Sequence, residues 1–268
     1  PRPAVWSIEV RYGIGHMTAF VPCLHRIHVG EPTGALSIHA SLGMSIEFDA
    51  LFDRLDRLEW DARADGRSPR SRLITFDDGW SDVMMLAPHF GSWAHLQPVL
   101  FLTLRQLEGE QSLLPLPRLY EWCATTGNTL TSLEREGISR VALKQMPEKE
   151  QHRLLDERGV PRVVRSREVL ALEQIADLAG RGWFVASHGH EHSDLRQLDN
   201  DELARGLSAA LRAVLRIGGT PGIAWPEGRC CGRTCDVAAA AGFELQFSLS
   251  AETKDFRRAD LISREIYK

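Results

Sequence analysis

The chain has 268 residues, 43% of them hydrophobic and 25% charged, with 32 Lys and Arg against 36 Asp and Glu for a formal charge of −4. At roughly 150 residues per domain this is one large domain or two small ones, enough to bury about three-quarters of the unfolded surface without a disulfide staple. There is no basic excess, so nucleic-acid binding is not expected, and no apolar run reaches the ~18 residues of a membrane-spanning helix.

The start, Pro1-Arg2-Pro3-Ala4-Val5-Trp6, lacks the basic stretch and apolar core of a signal peptide. Met17 is a candidate native start, with residues 1–16 an N-terminal extension and 17–268 the folded domain. Five cysteines, Cys23, Cys123, Cys230, Cys231 and Cys235, are an odd number and point to reduced thiols and a cytoplasmic location.

In chain order, Ala19–Leu24 reads as a short buried strand. Ser45–Leu58 reads as an amphipathic helix, because Phe48, Leu51, Phe52, Leu55 and Leu58 recur at helical spacing behind an N-cap Ser45. Leu73–Phe76 is a strand, Asp82–Phe90 a helix with Pro88 as its kink or stop, and Val99–Thr103 the next strand. Residues 105–166 then break the rhythm. Leu119–Cys123 and Glu148–Arg158 are predicted helices, the second with Pro147 at its first position, so this stretch reads as a helical insertion rather than a bare loop. Alternation resumes with helix Glu168–Ala179, strand Trp183–Ser187, helix Asp201–Leu215, strand Gly222–Trp225, helix Cys235–Ala241, and strands Glu244–Ser248 and Leu261–Tyr267. The pattern predicts an α/β fold on a parallel sheet, open or closed into a barrel.

Two segments carry chemistry. Thr75-Phe76-Asp77-Asp78-Gly79-Trp80 follows a predicted strand, which puts two carboxylates at the C-terminal end where α/β proteins build their sites. Adjacent side chains diverge, so one Asp can bind a metal while the other faces a reacting atom. Asp-Asp-Gly alone reads equally well as a helix cap, since these residues dominate caps and turns. Ser187-His188-Gly189-His190-Glu191-His192 follows another strand. Three histidines in five residues are hard to explain by packing. In a helical turn the four-residue spacing of His188 and His192 puts both imidazoles on one face, with His190 pointing away. A polar surface loop, or a pairing of His190 with either neighbour, is the alternative. Together Asp78, His188 and His192 form a two-His, one-carboxylate set suited to zinc, or to cobalt, iron or nickel, and Asp77 remains free as a base. A metal-activated water beside a free carboxylate is the equipment of hydrolysis at a carbonyl.

These segments resemble the polysaccharide deacetylase family, the NodB-homology enzymes of carbohydrate esterase family 4. Thr75–Gly79 resembles its first motif, His188–His192 followed by Ser193-Asp194-Leu195 its second, and Ala224-Trp225-Pro226-Glu227-Gly228 its third. Ala239–Phe243 resembles the helix-to-strand step that follows. The likeness spans roughly residues 18–268 and is weakest over 105–166. It implies a deformed (β/α) barrel with a helical insertion, and metal-dependent removal of an acetyl group from an N-acetylated sugar. Asp77 would be the base, Asp78, His188 and His192 the metal ligands, and Glu227 and Trp225 the oxyanion and substrate residues.

Many family members take their general acid from a C-terminal histidine, but this chain has none after His192. A permuted subgroup carries it near the N-terminus, and Cys23-Leu24-His25-Arg26-Ile27 fits that position. His25 is therefore the expected acid, with His28 and His39 as rivals. The family's base-orienting Arg would fall at Ala224; Arg264 is the candidate replacement, a surface salt bridge being its other reading. Gly189 stands where the family has Ser or Thr, and Glu227 where it has Tyr. The Glu227 charge would favour a cationic substrate or simply face water. Cys230, Cys231 and Cys235 read as structural or redox-sensitive thiols rather than a second metal site, and Trp93, Trp122, Trp183 and Trp225 as core more readily than as sugar-stacking surfaces. With no leader visible and several thiols, a small sugar conjugate or a biosynthetic intermediate is expected rather than an extracellular polymer. The competing readings are hydrolysis of another amide, formyl or cyclic, and a non-catalytic sugar binder.

Overall fold

The computed structural model describes residues 21–66, 72–249, 258 and 261–266. The candidate start at Met17, residues 1–16, Ala19, Phe20 and Tyr267 lie outside them. Among the described residues nine strands are formed: β1 Val21–Leu24, β2 Arg26–His28, β3 Ser45–Glu47, β4 Arg72–Phe76, β5 Leu96–Leu102, β6 Phe184–Ser187, β7 Gly222–Ala224, β8 Leu245–Leu249 and β9 Leu261–Ile266. Seven close into a barrel in the order β1-β4-β5-β6-β7-β8-β9, and β2 and β3 pair outside it. Every pairing is parallel, and closure is made where Val21 of β1 pairs with Arg264 of β9.

Strand residues alternate between two cores, which sets everything at the barrel mouth. Val21, Leu73, Val99, Phe101, Ala186, Ala224, Leu245 and Phe247 form one cluster inside the barrel. Ile74, Phe76, Leu100, Leu102 and Val185, from the intervening positions, pack outward with the helices. Both faces of β1 and of β4 to β8 are thus covered, and so β5 is an unbroken buried run, Leu96–Leu102, whereas β9 buries only Arg264.

Several elements differ from the sequence reading. Ser45 is not an N-cap: Ser45–Glu47 is strand, because Ile46 pairs with Ile27 and both are buried. The helix begins at Phe48, capped by Glu47, whose carboxylate accepts from the Ala50 N–H at 2.9 Å, and it runs to Ala64. Over 82–90 only Ser81–Met85 is helical, and it is a 3-10 turn. Val83, Leu86, Ala87 and Phe90 are buried as their spacing demands. Their backbone, however, advances by i to i+3 bonds, from Leu86 to Val83 and from His89 to Leu86. The helix predicted from Glu168 begins at Leu172, because Val169 bridges Trp80 first. Pro147 is the N-cap of Glu148–Glu157, one residue before the first helical position. The Gly34–Ser41 helix left no apolar stripe to read, burying only Ala35 and His39.

Between β5 and β6 lie helices Leu104–Leu107, Pro115–Thr126, Leu130–Arg135, Arg140–Leu143 and Glu148–Glu157. Most of them share a small core of their own, with Leu119, Leu133, Leu143 and Leu155 fully buried. After β7, the Pro226–Gly228 turn is pinned to β8 by Ser248, whose hydroxyl donates to the Gly228 carbonyl at 2.5 Å. Gly228 has φ +71, and a Cβ there would lie 2.6 Å from Leu249 Cβ and 2.7 Å from its backbone nitrogen. No rotamer change relieves a backbone clash. Gly228→Ala is therefore expected to cost about 2–3 kcal/mol in urea unfolding; a wild-type midpoint would show that the turn is free of β8.

Candidate active site

Strand parity delivers the first motif. Leu73 faces the barrel axis, so Thr75 and Asp77 face it too, and Asp77 sits where β4 ends. Its backbone N–H donates to the Leu24 carbonyl at 2.9 Å, which ties it to β1. At Asp78 the chain turns left-handed, φ 67, and Gly79 continues the turn at φ 63. Among the described residues only Asp78 and Glu227 are non-glycine residues with positive φ, and both line the same cavity. Such strain persists only where neighbours enforce it. At Asp78 the enforcer is Gln106, whose amide donates to the Asp78 carbonyl at 2.6 Å. Gly79 has no room for a side chain: a Cβ would lie 2.5 Å from Leu102 Cδ2.

The second motif is not a helical turn. His188 follows the end of β6 and faces inward, and residues 188–194 form an irregular loop. The pair still meets, with ring centroids 5.0 Å apart. His190 is exposed, and its Cβ packs near Gly206. Gly189 stands at φ +88, where a Cβ would crowd Leu195 at 3.1 Å, so backbone shape accounts for the missing hydroxyl residue. Ser187 supplies a hydroxyl instead, accepting from the Gly189 N–H at 2.9 Å. The His188 Nδ1 lies 2.8 Å from the Ala224 carbonyl. A carbonyl only accepts, so Nδ1 carries the proton and Nε2 is left as a lone-pair donor.

Asp78, His188 and His192 each present a ligand atom, all within 4.8 Å of one another. The Asp78 Oδ1 lies 3.5 Å from His188 Nε2 and 3.2 Å from His192 Nε2. That oxygen is buried with no hydrogen-bond partner. Burial presses His192 toward neutrality, but the Asp78 carboxylate outweighs it and lifts the imidazole pKa to about 9. Burial presses the Asp78 carboxyl upward, but the nearby His192 charge outweighs it and holds the group well below the usual carboxylate range. This is a donor set seeking a cation. Two imidazoles and one carboxylate with an orphaned oxygen fit a divalent ion of the zinc class.

Arg264, from the closing strand, supplies what Ala224 does not. It is 1% exposed, so the surface salt-bridge reading fails. Its two terminal nitrogens donate to both oxygens of Asp77, at 2.6 and 3.0 Å, and one also reaches Thr75 Oγ1 at 3.2 Å. The guanidinium lies 5.1 Å over the Phe101 ring. Burial pushes the Asp77 pKa up, but Arg264, with His188 and His25, brings it down to about 2. The Cys23 thiol donates to Asp77 Oδ2 at 3.4 Å. Cys23, His25 and Asp77 form a second close set within 4.8 Å. It is a poor metal site, because Asp77 is committed to Arg264 and burial raises the thiol pKa, keeping it protonated.

His25 lines the cavity, whereas His28 does not. His39 lines it too, but its Nδ1 donates to the Ala35 carbonyl at 3.0 Å. Burial first, then Arg26, lowers its pKa to about 4, so it is neutral at pH 7. Trp225 is not at the cavity. Ala224 faces the barrel interior, so the next residue faces outward, and the Trp225 ring is fully buried with Leu203 and Phe243. Trp93 and Trp183 are core as well. The Glu227 carboxylate does not stand alone: it is partly exposed and pairs with Lys144.

Four residues that carry no sequence motif complete the site. Gln106 braces Asp78, and Lys144 neutralises Glu227. Glu148, 2% exposed, accepts from the His192 backbone N–H at 2.9 Å and pairs with Arg105. Arg140, like Lys144, lines the cavity of about 140 Å3 above the two carboxyl groups. All four come from the β5–β6 connection, and the 28, 44 and 83 positions that separate Gln106 from Asp78, Glu148 from His192 and Lys144 from Glu227 are spanned only by the fold.

The sequence matches no protein-family model and no curated protein. The fold does match solved structures. The Streptococcus pyogenes deacetylase PplD, in complex with acetate, aligns over 93% of this chain and 92% of its own at 16% identity, TM-score 0.54. A de-N-acetylase from Aggregatibacter actinomycetemcomitans aligns over 93% and 94% at 11% identity, TM-score 0.55. IcaB from Ammonifex degensii aligns over 93% and 91% at 15% identity, TM-score 0.50. The chain therefore has the (β/α) barrel fold of these deacetylases.

Two outcomes follow from the geometry. Arg264→Met leaves a buried carboxylate uncompensated and is expected to cost about 3–5 kcal/mol of unfolding free energy at pH 7. The folded pKa of Asp77 lies near 2 and below its unfolded value, so this stabilisation is complete above about pH 4 and fades as pH falls toward 2; a pH-independent difference between the two proteins would contradict the pairing. Glu148→Ala frees the His192 loop and is expected to weaken zinc binding about 10–100-fold, read by competition with a chromophoric chelator, with Glu148→Gln losing less because it keeps an acceptor.

Proposed function

We propose that the chain is a member of the polysaccharide deacetylase family, a divalent-metal-dependent hydrolase that removes an N-acetyl group from an N-acetylated sugar or sugar conjugate. The observation that carries this is the buried pair of aspartates at one strand end, one forked by Arg264 and the other grouped with two histidines. A pure binder has no use for the first. The named activity of the solved structures sharing the fold is deacetylation, which supports the same reading.

Asp78, His188 and His192 would hold the ion, zinc being the first choice and cobalt, iron or nickel the alternatives. When bound, it acidifies water and polarises the acyl carbonyl. Asp77 takes the proton of the attacking water, and Arg264 keeps that carboxylate ionised and aimed. The water oxygen bonds to the carbonyl carbon, and a backbone N–H at Glu227 stabilises the charge on the carbonyl oxygen. His25 gives its proton to the nitrogen as the C–N bond breaks, releasing amine and acetate. Five free cysteines fit a reducing compartment such as the cytoplasm. Among the described residues no helix is long and apolar enough to cross a membrane.

Acetate release from N-acetylated sugars of increasing size, with zinc or cobalt supplied and then chelated, tests this. Release should stop with chelator and return with metal. Asp77→Asn should keep the ion and lose about 10²–10⁴-fold in kcat, whereas His192→Ala should lose both; full activity in Asp77→Asn would sink the assignment.

A further inference from the structure

We propose that the substrate carries an anionic group, a carboxylate or a phosphate, and that Arg140 is the residue that selects it. This rests on the hydrolase reading above.

Among the described residues the charges lining the cavity do not balance. Asp77 belongs to Arg264, Asp78 to the two histidines, and Glu227 to Lys144. Arg140 faces the same cavity with no carboxylate partner among the described residues. Among the described residues its one hydrogen bond runs from Nε to the Tyr120 hydroxyl at 3.0 Å, and both terminal nitrogens have no acceptor there. Arg140 and Lys144 stand four positions apart at one short helix, Arg140–Leu143 with Lys144 as its C-cap. Like charges at that spacing repel. One acidic partner serves the two, so one cation is left over.

That cation is held in place rather than waving in solvent. Tyr120 is 1% exposed and packs edge-on against His39 at 5.0 Å. His39 is itself bonded to the Ala35 carbonyl. Leu143, on the same helix as Arg140, is fully buried. A guanidinium fixed through Nε presents its other edge as a ready fork, the geometry that carboxylate and phosphate oxygens take in pairs. Leu114, Pro115, Leu116 and Pro117 give the same cavity an apolar wall, so water does not replace the missing counter-ion cheaply. A bound anion would complete the ledger of charges.

Matched substrates test this: N-acetylglucosamine, its 6-phosphate, and N-acetylmuramic acid, which carries a carboxylate. The wild-type protein with zinc should favour at least one anionic compound over the neutral one by about tenfold or more in kcat/KM, and which of the two is favoured identifies the source of the charge. In Arg140→Gln that ratio should collapse toward one, and in Arg140→Lys it should fall only part-way, which also guards against a folding defect. Equal use of all three compounds by the wild type, or an unchanged ratio in Arg140→Gln, would overturn the proposal. The same compounds titrated calorimetrically into zinc-loaded Asp77→Asn separate the two readings. Arg140-dependent, charge-selective binding with no turnover by the wild type would remove the hydrolase and keep the anion site. Turnover by the wild type without charge selectivity would do the reverse.

Discussion

Everything at the mouth of this barrel depends on one constraint: ionised groups are buried where water cannot solvate them. Asp77, Asp78 and Arg264 are all less than a tenth exposed. Burying such groups is unfavourable by several kcal/mol each unless partners replace the lost water. Arg264 satisfies Asp77 with two hydrogen bonds, and that fork is also what joins the closing strand to the first motif. Asp78 has no equivalent arginine. It draws on the histidines and keeps one oxygen orphaned. Two neighbouring carboxylates are thereby given different tasks, one ionised and restrained, the other short of a cation.

The rest of the chain can be understood as support for that division. The period-2 alternation of the strands points Thr75, Asp77 and His188 at the axis and sends Ile74, Phe76 and Trp225 into the outer layer. Inside the barrel, the Phe101 and Phe247 rings meet at 5.0 Å, and Arg264 rests on Phe101, so the ionic layer sits on a dry apolar floor. The β5–β6 connection covers it from above. Gln106 fixes the strained carbonyl of Asp78, and Glu148 anchors the loop that carries His192. A loop on its own positions ligands poorly; these two buried contacts give it the precision a metal site needs.

Much of the site was legible because its chemistry is contiguous. Asp77 and Asp78 adjoin, and His188 and His192 lie in one hexapeptide behind a strand, so residue type and strand parity suffice to bring them together. Arg264 was legible as a candidate but not as a certainty, since nothing local distinguishes a buried arginine on a final strand from an exposed one. Glu148, Gln106, Arg140 and Lys144 left no signal. Each is an ordinary helix residue whose meaning comes from a partner far along the chain; Glu148 and His192 are 44 positions apart. The misread elements have a common cause. Ser45–Glu47 and residues 82–90 carry apolar spacing compatible with a helix, but tertiary pairing of Ile46 and successive i to i+3 bonds satisfied that spacing with other backbone shapes.

The central claim is that the Asp78, His188 and His192 set is incomplete without a divalent cation. Thermal unfolding of the metal-stripped protein, with and without zinc in excess, tests it most directly. At a free zinc concentration about 1,000 times the Kd, binding to the folded state contributes about 4 kcal/mol, a rise of roughly 10 °C in Tm for a chain of this size. The account predicts that rise for the wild type and for Asp77→Asn, and its loss in Asp78→Asn. A Tm indifferent to zinc, or a shift that survives Asp78→Asn, would contradict it.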